Sequence, residues 1–251
     1  HVIPEPVAAV AAVAGALGAS EIAGAVIAGE SIVLPALMEG PRATGDEPPA
    51  LAADPDGDAW LLDGIKTGVL FPADADGFLV SASADAGIVL VHATEAEIIA
   101  SDVVDGSSVG LLTFNGTPAE PVAGPNEARP ALAALLDALA VTNAAELLGV
   151  MEAAQAMTVD YLKIRNQFDR PIGSFQALQH RAVDSLAAIE MCRSLIYQAA
   201  RALDNAGGAP GLASAVLSKT ARSALDVCTA SVQMHGGIGF THEHDVGVCL
   251  K

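Results

Sequence analysis

Several donor groups stand close together between Tyr161 and His180, in the run YLKIRNQFDRPIGSFQALQH. Arg165 offers a planar guanidinium, Gln167 and Gln176 offer side-chain amides, and Phe168 adds an apolar ring. A guanidinium binds two oxygens at once, so the set suits a pyrophosphate and requires no buried acid. A second run, Gln233-Met234-His235-Gly236-Gly237-Ile238-Gly239-Phe240, places an amide ahead of glycines that let backbone approach a ligand. Alone, Gly-Gly-x-Gly is a helix end. No strand precedes it, so it is not the strand–turn–helix dinucleotide fingerprint. His235, His242, Glu243 and His244 follow no strong metal-ligand spacing and read as polar groups at a helix terminus near a phosphate. No metal site is expected.

Helices must position these groups. Tyr161, Ile164, Arg165 and Phe168 recur at three- and four-residue steps, which predicts one helix face carrying all four. Pro171 ends that helix, and Gly173 with Ser174 supplies a turn and an N-cap, so Arg165, Gln167 and Gln176 converge on one corner. Residues 131–168 read as one long helix or two, with Leu147, Val150, Met151, Ala154, Met157 and Tyr161 as the inner stripe. A helix over 176–205 follows, with Leu186, Ile189, Ile196 and Leu203 inward and Gly207-Gly208 as its stop. Pro210 opens the last helix, which runs to His235. Four antiparallel helices with short turns are predicted.

Upstream the pattern changes. Turn residues cluster at Gly40-Pro41, Asp46 to Pro49, Asp54 to Asp58, Asp85 to Gly87 and Gly116 to Pro118. Short β-prone runs lie between and around them: Ile32 to Leu34, Trp60 to Ile65, Gly77 to Ser81, Ile88 to Val91 and Val109 to Phe114. This spacing predicts a small antiparallel barrel, with Asp63-Gly64 as a tight hairpin turn. Residues 1–29 read as helical. Val7, Val10, Val13 and Leu17 share one side, Gly18 is a stop, and Ser20 is an N-cap for Glu21 to Ile27.

The chain has 251 residues, is 52% hydrophobic, and carries a net charge of -18. That field repels nucleic acid and anionic membranes, and any phosphate site must be built locally against it. Cys192, Cys228 and Cys249 form neither a disulfide framework nor a metal spacing and read as packing residues. No signal peptide and no clean apolar span with flanking charges is seen, so a cytoplasmic protein is expected.

The run R-N-Q-F-D-R-P-I-G-S-F-Q-x-x-Q-H, Arg165 to His180, resembles the arginine–phenylalanine signature of the acyl-CoA dehydrogenases, and Gln233 to Phe240 resembles the family's second signature. Trp60 to Lys66 resembles the W-x-L-N-G-x-K segment of its middle domain. The resemblance implies an α+β fold. A truncated N-terminal helical region (1–30) would precede a middle antiparallel β-barrel (31–125) and a C-terminal four-helix bundle (131–251). It also implies FAD. Arg165, Gln167, Phe168, Gln176, Gln233, Gly236 and Gly237 would hold the adenosine-pyrophosphate half of a cofactor whose flavin sits mainly in a neighbouring subunit.

Departures from the family pattern carry as much. After the segment's lysine the family usually places an aromatic that stacks on flavin and a hydroxyl at its N5 edge; here the run is Lys66-Thr67-Gly68-Val69-Leu70. The flavin-side loop is reduced to Met38-Glu39-Gly40-Pro41-Arg42. One family position for the glutamate base lies about three helical turns before the glycine matching Gly149 and reads Leu139. The next position, often an Arg for CoA, reads Ala140. The other family position for the base lies beyond Lys251. Glu146 and Glu152 read as solvated helix charges. No catalytic residue is therefore expected in this chain.

The pattern is most similar to the non-catalytic β subunit of actinobacterial α2β2 steroid acyl-CoA dehydrogenases, and Gly236 to Asp245, GGIGFTHEHD, is typical of that group. The implied function is α,β-desaturation of a steroid-derived acyl-CoA. A homologous catalytic subunit would bind most of the substrate, and electron-transfer flavoprotein or a similar acceptor would take the electrons. Two alternatives stay open: a homotetramer whose base lies beyond Lys251, and a flavin-free structural subunit.

Overall fold

The computed structural model describes residues 4–40, 48–205 and 211–251, and the chain forms two units, His1–Leu139 and Ala140–Lys251. The expected turns at Gly40-Pro41 and Asp46-Glu47, the stop at Gly207-Gly208 and the opening at Pro210 touch residues outside the described ones.

In the first unit α1 (Pro4–Ala16) and α2 (Ser20–Ala28) turn on Gly18, whose φ of 78° suits glycine. Val10 and Val13 enter a core with Val26, Leu79, Leu90, Leu132 and Leu135. Each such side chain contributes roughly 1.5–3 kcal/mol by leaving water. Ser20 is not the cap. Ala19 holds that position, and the Ser20 hydroxyl donates back to the Gly18 carbonyl at 3.2 Å.

Seven strands follow: β1 (Val33–Ala36), β2 (Ala52–Asp56), β3 (Ala59–Leu70), β4 (Gly77–Ala84), β5 (Gly87–Ala93), β6 (Glu97–Asp102) and β7 (Ser108–Ala123). Pairings run β4–β2–β3–β7–β5 and return to β4, which closes the barrel; β6 pairs β7 outside that circuit. Most pairs are antiparallel, while β1 and β2 meet β4 in parallel. Leu62, Val80, Val91, Leu112 and Phe114 fill the interior.

Two sequence expectations fail on the same physical point: glycine in a strand marks a bulge as readily as a turn. Asp63-Gly64 lies inside β3, and the tight turn is Gly57-Asp58, between Asp56 and Ala59. Gly64, at φ 143°, is needed because a Cβ there would lie 2.9 Å from Leu51 Cα. Gly116 is likewise the extra residue of a bulge within β7, opposite the Leu62/Asp63 step. The short β2 and β6 went unseen, since Asp54 to Asp58 read as turn and β6 is exposed on both faces.

The helix α3 runs unbroken from Pro125 to Ile164 and tolerates Pro130 near its start. By length and composition alone it could cross a membrane, contrary to expectation; its apolar residues Leu132, Leu135, Val141 and Ala144 serve protein cores. In the second unit the later part of α3 packs with α4 (Gln176–Leu203) and α5 (Leu212–His235). Three long helices, not four, stand among the described residues, because the stretch read as one or two helices is one. Met151, Ala154, Ile189 and Ile196 are buried as expected, whereas Leu186 and Leu203 are 48% and 41% exposed.

Candidate functional site

Helix α3 ends at Ile164, and the next residues form a small hairpin: β8 (Asn166–Gln167) pairs β9 (Arg170–Pro171). Ile172 N–H donates to the Arg165 carbonyl at 2.8 Å and closes it. Phe168 therefore is not on the helix face. It occupies the turn with Asp169 at φ 54° and 62°, the pattern of a type I′ turn, and its ring is 85% exposed. A phenylalanine at positive φ is strained. Arg170 lies 4.0 Å over the Phe175 ring, and Phe168 meets that ring edge-on at 6.0 Å.

The Arg165 side chain is exposed and has no hydrogen bond or ion pair among the described residues. Gln167 is exposed, its amide donating to the Asn166 carbonyl at 2.8 Å. Gln176 opens α4, where Phe175 rather than Ser174 is the N-cap and the Ser174 hydroxyl donates to the Pro171 carbonyl instead. Gly173 has a packing role, since a Cβ there would stand 2.8 Å from the Leu162 carbonyl oxygen.

The second motif closes α5. Gln233 is exposed. Gly236 adopts φ 68°, ψ -141°, which essentially only glycine adopts, and a Cβ on Gly236 or Gly237 would meet open space. Gly239 is different: its Cβ would stand 2.7 Å from the Val232 carbonyl oxygen.

A stack of rings brings the two motifs to one place. Tyr161, four residues before Arg165, lies 4.5 Å from buried His235, two residues after Gln233. His244 adds a third ring at 4.4 Å from His235. His235 Nδ1 bonds the Ser231 carbonyl at 2.8 Å, which can only accept, so Nδ1 carries the proton. Burial holds its pKa below the usual value, with nearby His244 acting in the same direction and the Ser231 bond opposing. From spacing alone His235 reads as a polar group at a helix end, and the sequence signal for its packing is Tyr161 on the apolar face of α3.

Arg165 with open backbone at Gly236-Gly237 fits a pyrophosphate. At Gly68, φ 71°, a Cβ would stand 2.6 Å from the Met38 methyl, so Met38 fills the space a side chain there would take. Thr67 N–H donates to Met38 carbonyl at 2.7 Å and holds that arrangement. Leu139 and Ala140 are apolar and pack into cores. Glu152 pairs with Arg193 at 2.7 Å and so is tied across α3 and α4 rather than merely solvated. Burial pushes the Cys228 thiol up to about 11, with Cys249 adding to the effect, as befits a packing residue. No group of His, Cys, Asp and Glu that could hold a metal exists among the described residues.

Helical unit, closed barrel and paired motifs together define the acyl-CoA dehydrogenase fold. Residues 130–250 match the acyl-CoA dehydrogenase C-terminal domain, and members of that family are FAD-binding flavoproteins. The chain is 40% identical over 119 residues to the acyl-CoA dehydrogenase IpdE2 of Mycobacterium tuberculosis, covering 47% of this chain and 35% of IpdE2. It thus spans about a third of the length of that curated relative. Among solved structures, a Tcur3481-Tcur3483 steroid acyl-CoA dehydrogenase variant superposes with a TM-score of 0.89 at 28% identity, over 99% of this chain and 69% of that one. The ChsE4-ChsE5 complex of M. tuberculosis does so with a TM-score of 0.82 at 27% identity, over 99% and 69%.

Proposed function

We propose that this chain is the non-catalytic subunit of a cytoplasmic α2β2 acyl-CoA dehydrogenase that desaturates a steroid-derived acyl-CoA. In this reading it lends the ADP side of an FAD site to a homologous catalytic subunit. The partner supplies the base and most of the acyl-CoA contacts, and electron-transfer flavoprotein or a similar protein accepts the electrons. Bound FAD would supply the hydride acceptor. This chain's residues would do the holding: Arg165 on the pyrophosphate, Gln167, Phe168 and Gln176 beside the adenosine half, and Gln233 with the Gly236-Gly237 backbone opposite.

One observation carries the reading: Arg165 is left without a counter-ion among the described residues, while Met38 fills the space at Gly68. The two similar complexes of paired polypeptides support it. The chain purified alone should be colourless and inactive, and co-expression with the partner should give a yellow complex. Native mass spectrometry then counts chains and flavins together. Arg165→Ala should loosen the flavin; unchanged retention in that variant refutes the assignment. Flavin retained by the chain alone would favour the homotetramer. Full FAD occupancy after loss of both Arg165 and Gln233 would favour a flavin-free structural role.

A further inference from the structure

Among the described residues of the first unit, none covers one apolar face of the barrel. Outward residues of three adjacent strands form it: Ile65 and Leu70 of β3, Val109 and Leu111 of β7, and Ile99 of β6. On β7 they alternate with buried Gly110, Leu112 and Phe114. Ile65, Leu70 and Ile99 are 47%, 41% and 60% exposed, and Val104, just past β6, is 78% exposed. Among the described residues β6 pairs only β7, and all six of its residues are exposed, so its other edge is open. Lysine and proline, which commonly blunt such edges, are absent from β6, and only Glu97 and Asp102 charge its two ends.

Charge says what can cover it. Glu95, Glu97, Asp102 and Asp105 flank the patch, and no Lys or Arg occurs between Lys66 and Arg129. Lys66 is buried and paired with Glu39. Residues 1–139 hold 20 Asp and Glu against 3 Lys and Arg, a net of -17, whereas residues 140–251 hold 10 against 9. A second copy would set these carboxylates against their own kind. We infer that the β3–β7–β6 face and the open edge of β6 dock a different polypeptide, whose contact surface is apolar and rimmed by lysine and arginine. For the identity of that polypeptide, the homologous catalytic subunit, the inference rests on the proposed function.

Hydrogen–deuterium exchange on the full polypeptide, free and in the co-expressed complex, tests it. Residues 95–107 should exchange readily in the free chain and become protected in the complex. Ile99→Arg should weaken the complex tenfold or more, while Ile27→Arg, on exposed α2, should not. Affinity should fall as salt rises from about 0.05 to about 0.5 M. A complex that forms with no change over 95–107 overturns this surface and leaves the shared FAD site standing. No complex under any condition overturns both. Protection in the free chain overturns the inference in either form: a second copy covers the face if protection fades on dilution, and the chain itself covers it if protection persists.

Discussion

Lys66 Nζ lies 2.7 Å from Glu39 Oε1 with no solvent exposure at the lysine, and Glu39 also accepts the backbone N–H groups of Ala50 and Leu51 at 2.6 and 3.0 Å. Ser81 Oγ at 3.1 Å and the Leu37 carbonyl at 3.4 Å complete the ammonium's partners. Burial pulls the Lys66 pKa down, and Glu39 offsets only part of that. For Glu39, burial pushes up, but the bonds from Lys66, Leu51 and Ala50 outweigh it and hold the carboxyl below its usual value. A carboxyl depressed in the fold stabilises above its unfolded pKa, and that stability is lost as pH falls through the folded value. Chemical denaturation at stepped pH should show a loss below about pH 4.5 that Glu39→Gln abolishes. Lys66→Met, leaving the Glu39 carboxylate without its cation, should cost about 3–5 kcal/mol at neutral pH.

His235 predicts a second, milder window. Its pKa is lowered in the fold, so the unfolded chain takes up the proton first and stability falls as pH drops below about 6.5. His235→Phe should keep ring packing against Tyr161 and flatten the denaturation midpoint between about pH 7 and 5. A slope unchanged in that variant would move the effect to His92, which burial also depresses.

Phe168 sets the hairpin's stability against its use. Phe168→Asn places a residue tolerant of the left-handed region at the turn and should stabilise the free chain by about 1 kcal/mol. Calorimetry should show the midpoint rising. The same variant should retain less FAD in the complex; equal retention would show that the exposed ring has no part in the site.

The glycines of the second motif should separate cleanly. Gly239→Ala must displace the Val232 carbonyl and should cost about 1–3 kcal/mol by the overpacking it forces. Gly237→Ala meets open space and should fold with an unchanged midpoint. Any loss it shows should therefore appear in FAD retention.

Legibility in the sequence followed periodicity and failed at exceptions to it. Met151, Ala154, Ile189 and Ile196 repeat at helical spacing and are buried. Leu186 and Leu203 share that spacing but lie on the exposed side of α4, which composition cannot reveal. The end of α5 at His235 was readable because Gly236-Gly237 follows it. The hairpin at Phe168 was not, because a helical step fits Tyr161, Ile164 and Arg165 and the chain leaves the helix one residue before the arginine. Asp63-Gly64 and Gly116 misled because a dipeptide shows no register, and only the facing strand decides between turn and bulge. The fill of Gly68 by Met38 lay beyond reach, since it joins segments thirty residues apart.

The stretch without lysine or arginine also governs how this protein can be cut. A protease of tryptic specificity finds no bond from Thr67 to Ala128, and at Arg129 the following Pro130 blocks it. Lys66 is out of reach in the folded chain. Digestion of the unfolded chain should thus release the second half of the barrel joined to most of α3 as one fragment, 67–163, and a protease that cuts at carboxylates or aromatic residues is needed to map the strands within it.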